Sequence, residues 1–263
     1  MIMPSDAVET RVDGAVATVL LNRPDSGNAL ARSMMAELSQ ALSDLHLEKR
    51  VRAIVLTGAG ESFCVGRDLA ELAGGDDPVA DMARWGDEAA EYRDLLVSML
   101  ELPKPIIAAV NGPALAGGGG LVLGCDITVG CHTASFGFPE PRRGTIAGVA
   151  APLLAHRIGA GVAARLLMSA TPIEAAEAHR VGVYHELVPA DVLWARAFDL
   201  GKECAAAAPQ AVSLTKRLLY ETVGEQLGVQ LSSGAIASAT ARTTESAREG
   251  LTAEQEGRSP EWP

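Results

Sequence analysis

The 263-residue sequence predicts an α/β fold, and three observations predict it. Short apolar runs with strand character, Ala53–Thr57 and Ile106–Val110, alternate with stretches whose apolar residues recur at helical spacing. Each of those two runs is followed by a glycine-bearing turn, Phe63-Cys64-Val65-Gly66-Arg67-Asp68-Leu69 in the first case and Ala116-Gly117-Gly118-Gly119-Gly120 in the second. Strand signals then stop near Val188 and the pattern becomes helical to the end. Strands that alternate with helices specify a mainly parallel sheet covered by helices.

Taken in order, Val8–Val12, the Asp13-Gly14 turn and Ala15–Leu21 read as a β-hairpin. Met34, Leu38, Ala41, Leu42 and Leu45 predict a helix from Ala31 to Leu47. Tyr92, Leu95, Leu96 and Met99 predict another over Asp87–Glu101, behind a lid around Gly74–Trp85. A short helix is expected after the glycine run, then strands at Ile127–Val129 and Ser135–Gly137. Thr171-Pro172-Ile173-Glu174 has the form of a capping box with proline at the first helical position. His185–Val188 reads as the last strand, followed by helices over Val192–Ala207, Pro209–Thr222 and Glu225–Arg248. This divides the chain into an α/β core over 1–190 and a helical region over 191–263.

Composition narrows the function. Hydrophobic residues make up 48% of the chain and aromatic residues 4%, so the core is built from Ala, Val, Leu and Ile. A net charge of −11 argues against nucleic acid and anionic membrane surfaces as partners. No run reaches the roughly 18 apolar residues of a spanning helix, and Met1–Asp6 carries no basic, apolar leader pattern, which together predict a cytoplasmic protein. Cys64, Cys125, Cys131 and Cys204 have no C-x-x-C spacing and read as free buried thiols. His46, His132, His156, His179 and His185 form no metal-type spacing, so no metal is expected.

The two glycine turns carry the chemistry. A helix start leaves N–H groups without partners, and glycine lets the backbone approach a ligand closely. Two such turns after neighbouring strands can aim two N–H groups at one oxygen, the arrangement that stabilises an oxyanion. Read alone, the glycine run is equally compatible with a tight turn packed on itself.

With both turns placed, the chain resembles the crotonase superfamily, also called the enoyl-CoA hydratase/isomerase family. The resemblance rests on Leu21-Asn22-Arg23-Pro24 with Asn28-Ala29-Leu30, on Phe63–Leu69, on Asn111–Asp126, and on Phe136-Gly137-Phe138-Pro139-Glu140 with Gly144 and Gly148. It implies a crotonase-type spiral of β-β-α turns with a C-terminal helical trimerisation region, and a homotrimer or hexamer. It also implies an acyl-CoA thioester substrate, with coenzyme A part of the substrate and no separate cofactor. By resemblance, the N–H groups of Arg67 and Gly117 form the oxyanion hole, Glu140 is the general acid/base, and the Gly148 N–H helps hold a water. Arg23, Asn28, Ala29, Asp68 and Leu69 border the CoA. Asp68, at a helix start, reads as a cap. The Arg67 side chain is free to meet a CoA phosphate or to sit in solvent. Glu254 and Gly257 fall where relatives bring a phenylalanine and a lysine to CoA, and Arg258 follows at once as a possible cation. The basic pair Arg142-Arg143 beside Glu140 reads either as a solvated loop pair or as the source of a charge that lowers the Glu140 pKa.

One departure matters. The hydratases of the family use two glutamates, and the position of the first is Gly120 here. The resemblance therefore implies an enoyl-CoA hydratase by name, and leaves open an isomerase or lyase using Glu140 alone, or an acyl-CoA-binding paralogue without catalysis.

Overall fold

The computed structural model describes residues 7–72, 77–223 and 226–263; the N-terminal Met1–Asp6 and part of the expected lid lie outside them. The first strands, β1 (Val8–Asp13) and β2 (Val16–Leu21), form the expected hairpin around Gly14, whose φ is +61°. Helix α1 (Arg32–Leu47) buries Met34, Met35, Leu38, Leu42 and Leu45. Each such side chain contributes about 1.5–3 kcal/mol on burial. The strand β3 (Ala53–Gly58) follows, then the short α2 (Leu69–Leu72) and the long α3 (Pro78–Glu101). Next come β4 (Ile106–Val110), β5 (Ala114–Leu115) and α4 (Gly117–Gly124). After α4 the chain forms β6 (Ile127–Cys131), β7 (Ser135–Gly137) and a 3₁₀ turn at Glu140–Arg143. It continues through α5 (Ala150–Ile158), α6 (Ala160–Ser169), β8 (Ile173–Glu174), α7 (Ala175–Arg180) and β9 (Glu186–Val188). Helices α8 (Leu193–Ala206), α9 (Pro209–Leu218), α10 (Leu227–Ala241) and α11 (Glu245–Glu256) complete it.

The main sheet has the order β1-β2-β3-β4-β6-β9, parallel throughout except for the hairpin. Every residue of β3 and β4 is buried, as central parallel strands covered on both faces require. A second sheet has the order β5-β7-β8. Isolated bridges Leu30↔Arg67 and Cys64↔Ala114 continue it sideways, so each successive turn of chain is stitched to the next. That stepwise pairing is the spiral the resemblance implied.

Four expectations are corrected. Helix α3 begins at Pro78, nine residues before Asp87, because Asp77 caps it by accepting from the N–H groups of Val79 and Ala80 at 3.0 and 3.2 Å. Pro78–Trp85 is therefore helix, and residues 73–76 of the expected lid are outside the described residues. The capping box at Thr171–Glu174 does not form. Ile173 and Glu174 pair with Phe136 and Ser135 as β8, and α7 starts only at Ala175. The stretch expected as one helix to Arg248 breaks in two, with Thr244 Oγ1 capping α11 through the Ala247 N–H at 3.1 Å. Cys204 is half-buried, whereas the other three thiols are buried as expected. Helix α8, assigned to the helical region, packs directly on β3, β4 and β6. The pair α5 and α6, parted by Gly159 at φ +81°, was not anticipated.

Candidate active site

The spiral brings the two glycine turns together. Cys64 O accepts from the Leu115 N–H at 2.9 Å, and the Cys64 N–H donates to Pro113 O at 3.1 Å. Gly66 has φ +103°, and a Cβ there would stand 2.5 Å from Ala116 Cβ and 3.3 Å from Gly117 N. A Cβ on Gly118 would lie 2.1 Å from Cys64 O. Glycine is required at both positions because the loops touch. The glycine run is not a loop before the helix, since Gly117–Gly120 are the buried first turn of α4 itself. Among the described residues, no hydrogen bond engages the N–H of Arg67 or of Gly117. Both residues line a cavity of about 100 Å³, together with Glu140, Gly148, Trp85 and Tyr92.

Glu140 opens the 3₁₀ turn that follows Pro139. Its Oε2 is enclosed and has no hydrogen-bond partner among the described residues. Burial pushes its carboxyl up to about 7, against smaller lowering influences from its own backbone N–H and from Arg143. Arg143 does lower it, as one of the expected alternatives had it, but burial outweighs that influence and the net shift is upward. Arg143 is ion-paired with Glu254 on α11, and Arg142 donates to Thr171 Oγ1 at 2.9 Å. Gly148 sits back to back with Gly234 of α10; a Cβ on Gly148 would lie 2.3 Å from Gly234 O. Its own N–H is not engaged by the described residues.

The Arg67 side chain is largely enclosed rather than solvated. It turns inward, and its Nη2 pairs with Glu88 Oε2 at 3.1 Å. The same oxygen receives Nη1 of Arg242, the C-cap of α10, at 2.9 Å, and Arg242 lies over the Trp85 ring. Tyr92, one turn beyond Glu88 on α3, donates its hydroxyl to Gly117 O at 2.6 Å. Burial raises the Tyr92 pKa well above its ordinary value, so the phenol stays neutral. Its hydroxyl also fills the space beside Gly120, where a Cβ would meet Tyr92 Oη at 1.9 Å. Glu88, Tyr92 and Arg242 were not found from sequence as site residues. Tyr92 was read as a core position of its helix, and the i, i+4 spacing to Glu88 was the signal available.

The expected CoA-border residues form a separate network. Arg23 pairs with Asp68 at 2.9 Å and donates to Ala29 O at 2.6 Å. Asp68 is thus an ion-pair partner in front of α2, which begins at Leu69. Asn28 is fully buried at φ +57°, accepting from the Arg23 N–H and donating to Ala59 O and Ser62 O. Its amide is spent on holding the turn. Near the end of the chain, Glu254 is occupied by Arg143, Gly257 ends α11, and Arg258 is paired with Glu249 and Glu256. Among the described residues there is no group of three or more His, Cys, Asp or Glu able to hold a metal.

This fold and pocket define a member of a known enzyme family. The enoyl-CoA hydratase/isomerase family model matches residues 11–263, and the chain belongs to that family. A Thermus thermophilus protein bearing an enoyl-CoA hydratase name is 38% identical over 258 residues, covering 95% of this chain and 98% of the relative. The crystal structure of an enoyl-CoA hydratase from Mycobacterium avium superposes with a TM-score of 0.87 at 29% identity, covering 97% of this chain and 98% of that one. A monofunctional enoyl-CoA isomerase from M. smegmatis superposes with a TM-score of 0.71 at 29% identity, over 84% of this chain and 95% of that one.

Proposed function

We propose that this chain binds an acyl-CoA thioester, holds the thioester oxygen on the N–H groups of Arg67 and Gly117, and moves a proton at the adjacent carbon with Glu140. The observation that carries the reading is the unpartnered Glu140 Oε2 in the same cavity as two unengaged N–H groups. Negative charge grows on the thioester oxygen as the enolate forms. Preorganised N–H donors stabilise it by about 10²–10³ in rate each. A carboxyl poised near 7 can both take and return a proton at neutral pH.

The primary reading is hydration. Glu140 accepts a proton from water as the water oxygen attacks the β-carbon, and the proton is then delivered to the α-carbon. In this reading the Gly148 N–H, which no described residue engages, holds that water. A second reading, double-bond isomerisation, is favoured by one observation: Tyr92 occupies the side of Gly120 from which a second carboxylate would project. Glu140 alone would then take a proton from the α-carbon of a β,γ-enoyl thioester and return it to the γ-carbon. The Arg23–Asp68 network with Asn28, Ala29 and Leu69 is assigned to the CoA border. The assembly is a homotrimer or hexamer and the location cytoplasmic; no described helix is long and apolar enough to cross a membrane.

The test is a panel of α,β- and β,γ-enoyl-CoA thioesters incubated in D₂O and read by mass spectrometry. Water addition supports the first reading, and deuterium incorporation with a shifted double bond supports the second. No change across the panel overturns both.

A further inference from the structure

We infer that helix α3 sets the geometry of the oxyanion hole through two positioning residues, Glu88 and Tyr92. This rests on the reading above, in which the Arg67 and Gly117 N–H groups receive the thioester oxygen. The two donors lie on separate segments, one after β3 and one at the head of α4. Arg67 has a backbone bridge to Leu30 but belongs to no strand or helix, and Gly117 opens α4 with a run of four glycines, the residue with the most backbone freedom to lose. Main-chain donors stabilise developing charge only if they are aimed before it appears.

Helix α3 grips both. Glu88 and Tyr92 stand at i and i+4, on one face, one turn apart. Glu88 Oε2 holds the guanidinium of Arg67 at 3.1 Å, so the side chain of one donor residue is anchored. Tyr92 Oη holds the carbonyl of Gly117 at 2.6 Å, which fixes the peptide that follows the other donor. The helix is itself anchored by Leu95, Leu96 and Met99, all buried. The charge is also settled. The Glu88 side chain is only 2% exposed, and both Arg67 and Arg242 face its Oε2. Arg242 follows the last residue of α10 as its C-cap, so the C-terminal helices take part in holding the site. Both residues line the cavity; Tyr92 bonds to the Gly117 segment, and Glu88 bonds to Arg67 and to Arg242.

The experiment uses cinnamoyl-CoA as a probe, because hydrogen bonds to its thioester oxygen move the absorption of the conjugated system to longer wavelength. Its bound spectrum and affinity are measured for the full-length protein, Tyr92→Phe and Glu88→Gln, with kcat and KM on the best substrate of the panel. The intact protein is expected to shift the absorption to the red. Tyr92→Phe, which removes one oxygen and keeps the ring, is expected to lose part of that shift and about tenfold in kcat with KM little changed, a fraction of what one donor contributes. Glu88→Gln is expected to do the same if it folds. It removes the charge between two enclosed guanidiniums, so Tyr92→Phe decides if it does not. A folded Tyr92→Phe with the full red shift and full kcat overturns the inference. No red shift with the intact protein overturns the oxyanion reading itself, and the inference with it.

Discussion

Glu140 ties protonation to both activity and stability. Burial lifts its carboxyl from 4.5 to about 7. Between those values the folded protein keeps a proton that the unfolded chain has lost. Stability therefore falls as pH rises from about 4.5 to about 7, and the loss is complete above that. Glu140→Gln removes the ionisation, so its melting temperature should exceed that of the unaltered protein near pH 8 and match it near pH 4, as scanning calorimetry would read. Equal melting temperatures at both ends would contradict the buried carboxyl. The base form of Glu140 requires proton loss, so kcat/KM should climb through about 7 to a plateau. Gly120 gives a second prediction at this scale. Gly120→Glu places a Cβ against Tyr92 Oη and should destabilise by about 1–3 kcal/mol or more in urea unfolding. A stable Gly120→Glu variant that gains hydration would show that the pocket can repack. The two glycine turns were legible as a pair following two buried strands, and Glu140 only through the family resemblance, because glycine and glutamate singly are ordinary turn residues. Glu88 and Arg242 were not legible, because Glu88 meets Arg67 across 21 positions and Arg242 across 154, pairings only the fold creates.

At the scale of elements, the apolar runs β3 and β4 and the 3.6-residue stripe of α1 were legible because burial alone selects them. The start of α3 was missed because its first turns expose Val79 and Met82, which carry no buried stripe. The Asp77-Pro78 cap was the overlooked signal. The false capping box at Thr171–Glu174 shows the opposite failure, where local chemistry lost to pairing of Ile173 with Phe136 in the second sheet. Helix α9 offers a further prediction. Lys216 is buried and donates to Met99 O at 2.9 Å, Lys104 O at 3.2 Å and Asp126 Oδ2 at 2.7 Å, tying α9 to the loop before β4 and the one after α4. Removing one partner of an enclosed ion pair typically costs about 3–5 kcal/mol, so Lys216→Ala should lower the denaturation midpoint by that order. An unchanged midpoint would mean that α9 contributes little to the folded core.

At the scale of the whole molecule, the Glu140–Arg143 turn and the C-terminal helices are one unit. Helix α11 is clamped to Glu140–Arg143 by the Arg143–Glu254 pair, and Gly144 approaches Ser246 so closely that a Cβ would lie 2.1 Å from its carbonyl oxygen. Helix α10 meets Gly148 through Gly234. Helices α9 and α10 also leave Leu214, Leu218, Val229 and Ile236 exposed. Apolar side chains of that size, spread over two neighbouring helices, call for a partner surface. Light scattering of dilute protein should give three or six times the 27.3 kDa chain mass. A 27.3 kDa species under all conditions would refute assembly. That the terminal helices cover the site was not legible, because their composition announced helix and apolar faces but not the glycine pairs that let them dock.

The central claim is that one carboxylate, Glu140, moves the proton at the carbon beside the thioester. The most direct measurement is deuterium exchange at that carbon in D₂O, followed by NMR on a saturated acyl-CoA that can neither add water nor isomerise, for the intact protein and for Glu140→Gln. The account predicts exchange by the intact protein and a fall of about 10²–10⁴ in its rate for Glu140→Gln, with CoA-thioester binding retained. Exchange by Glu140→Gln at the rate of the intact protein would contradict it.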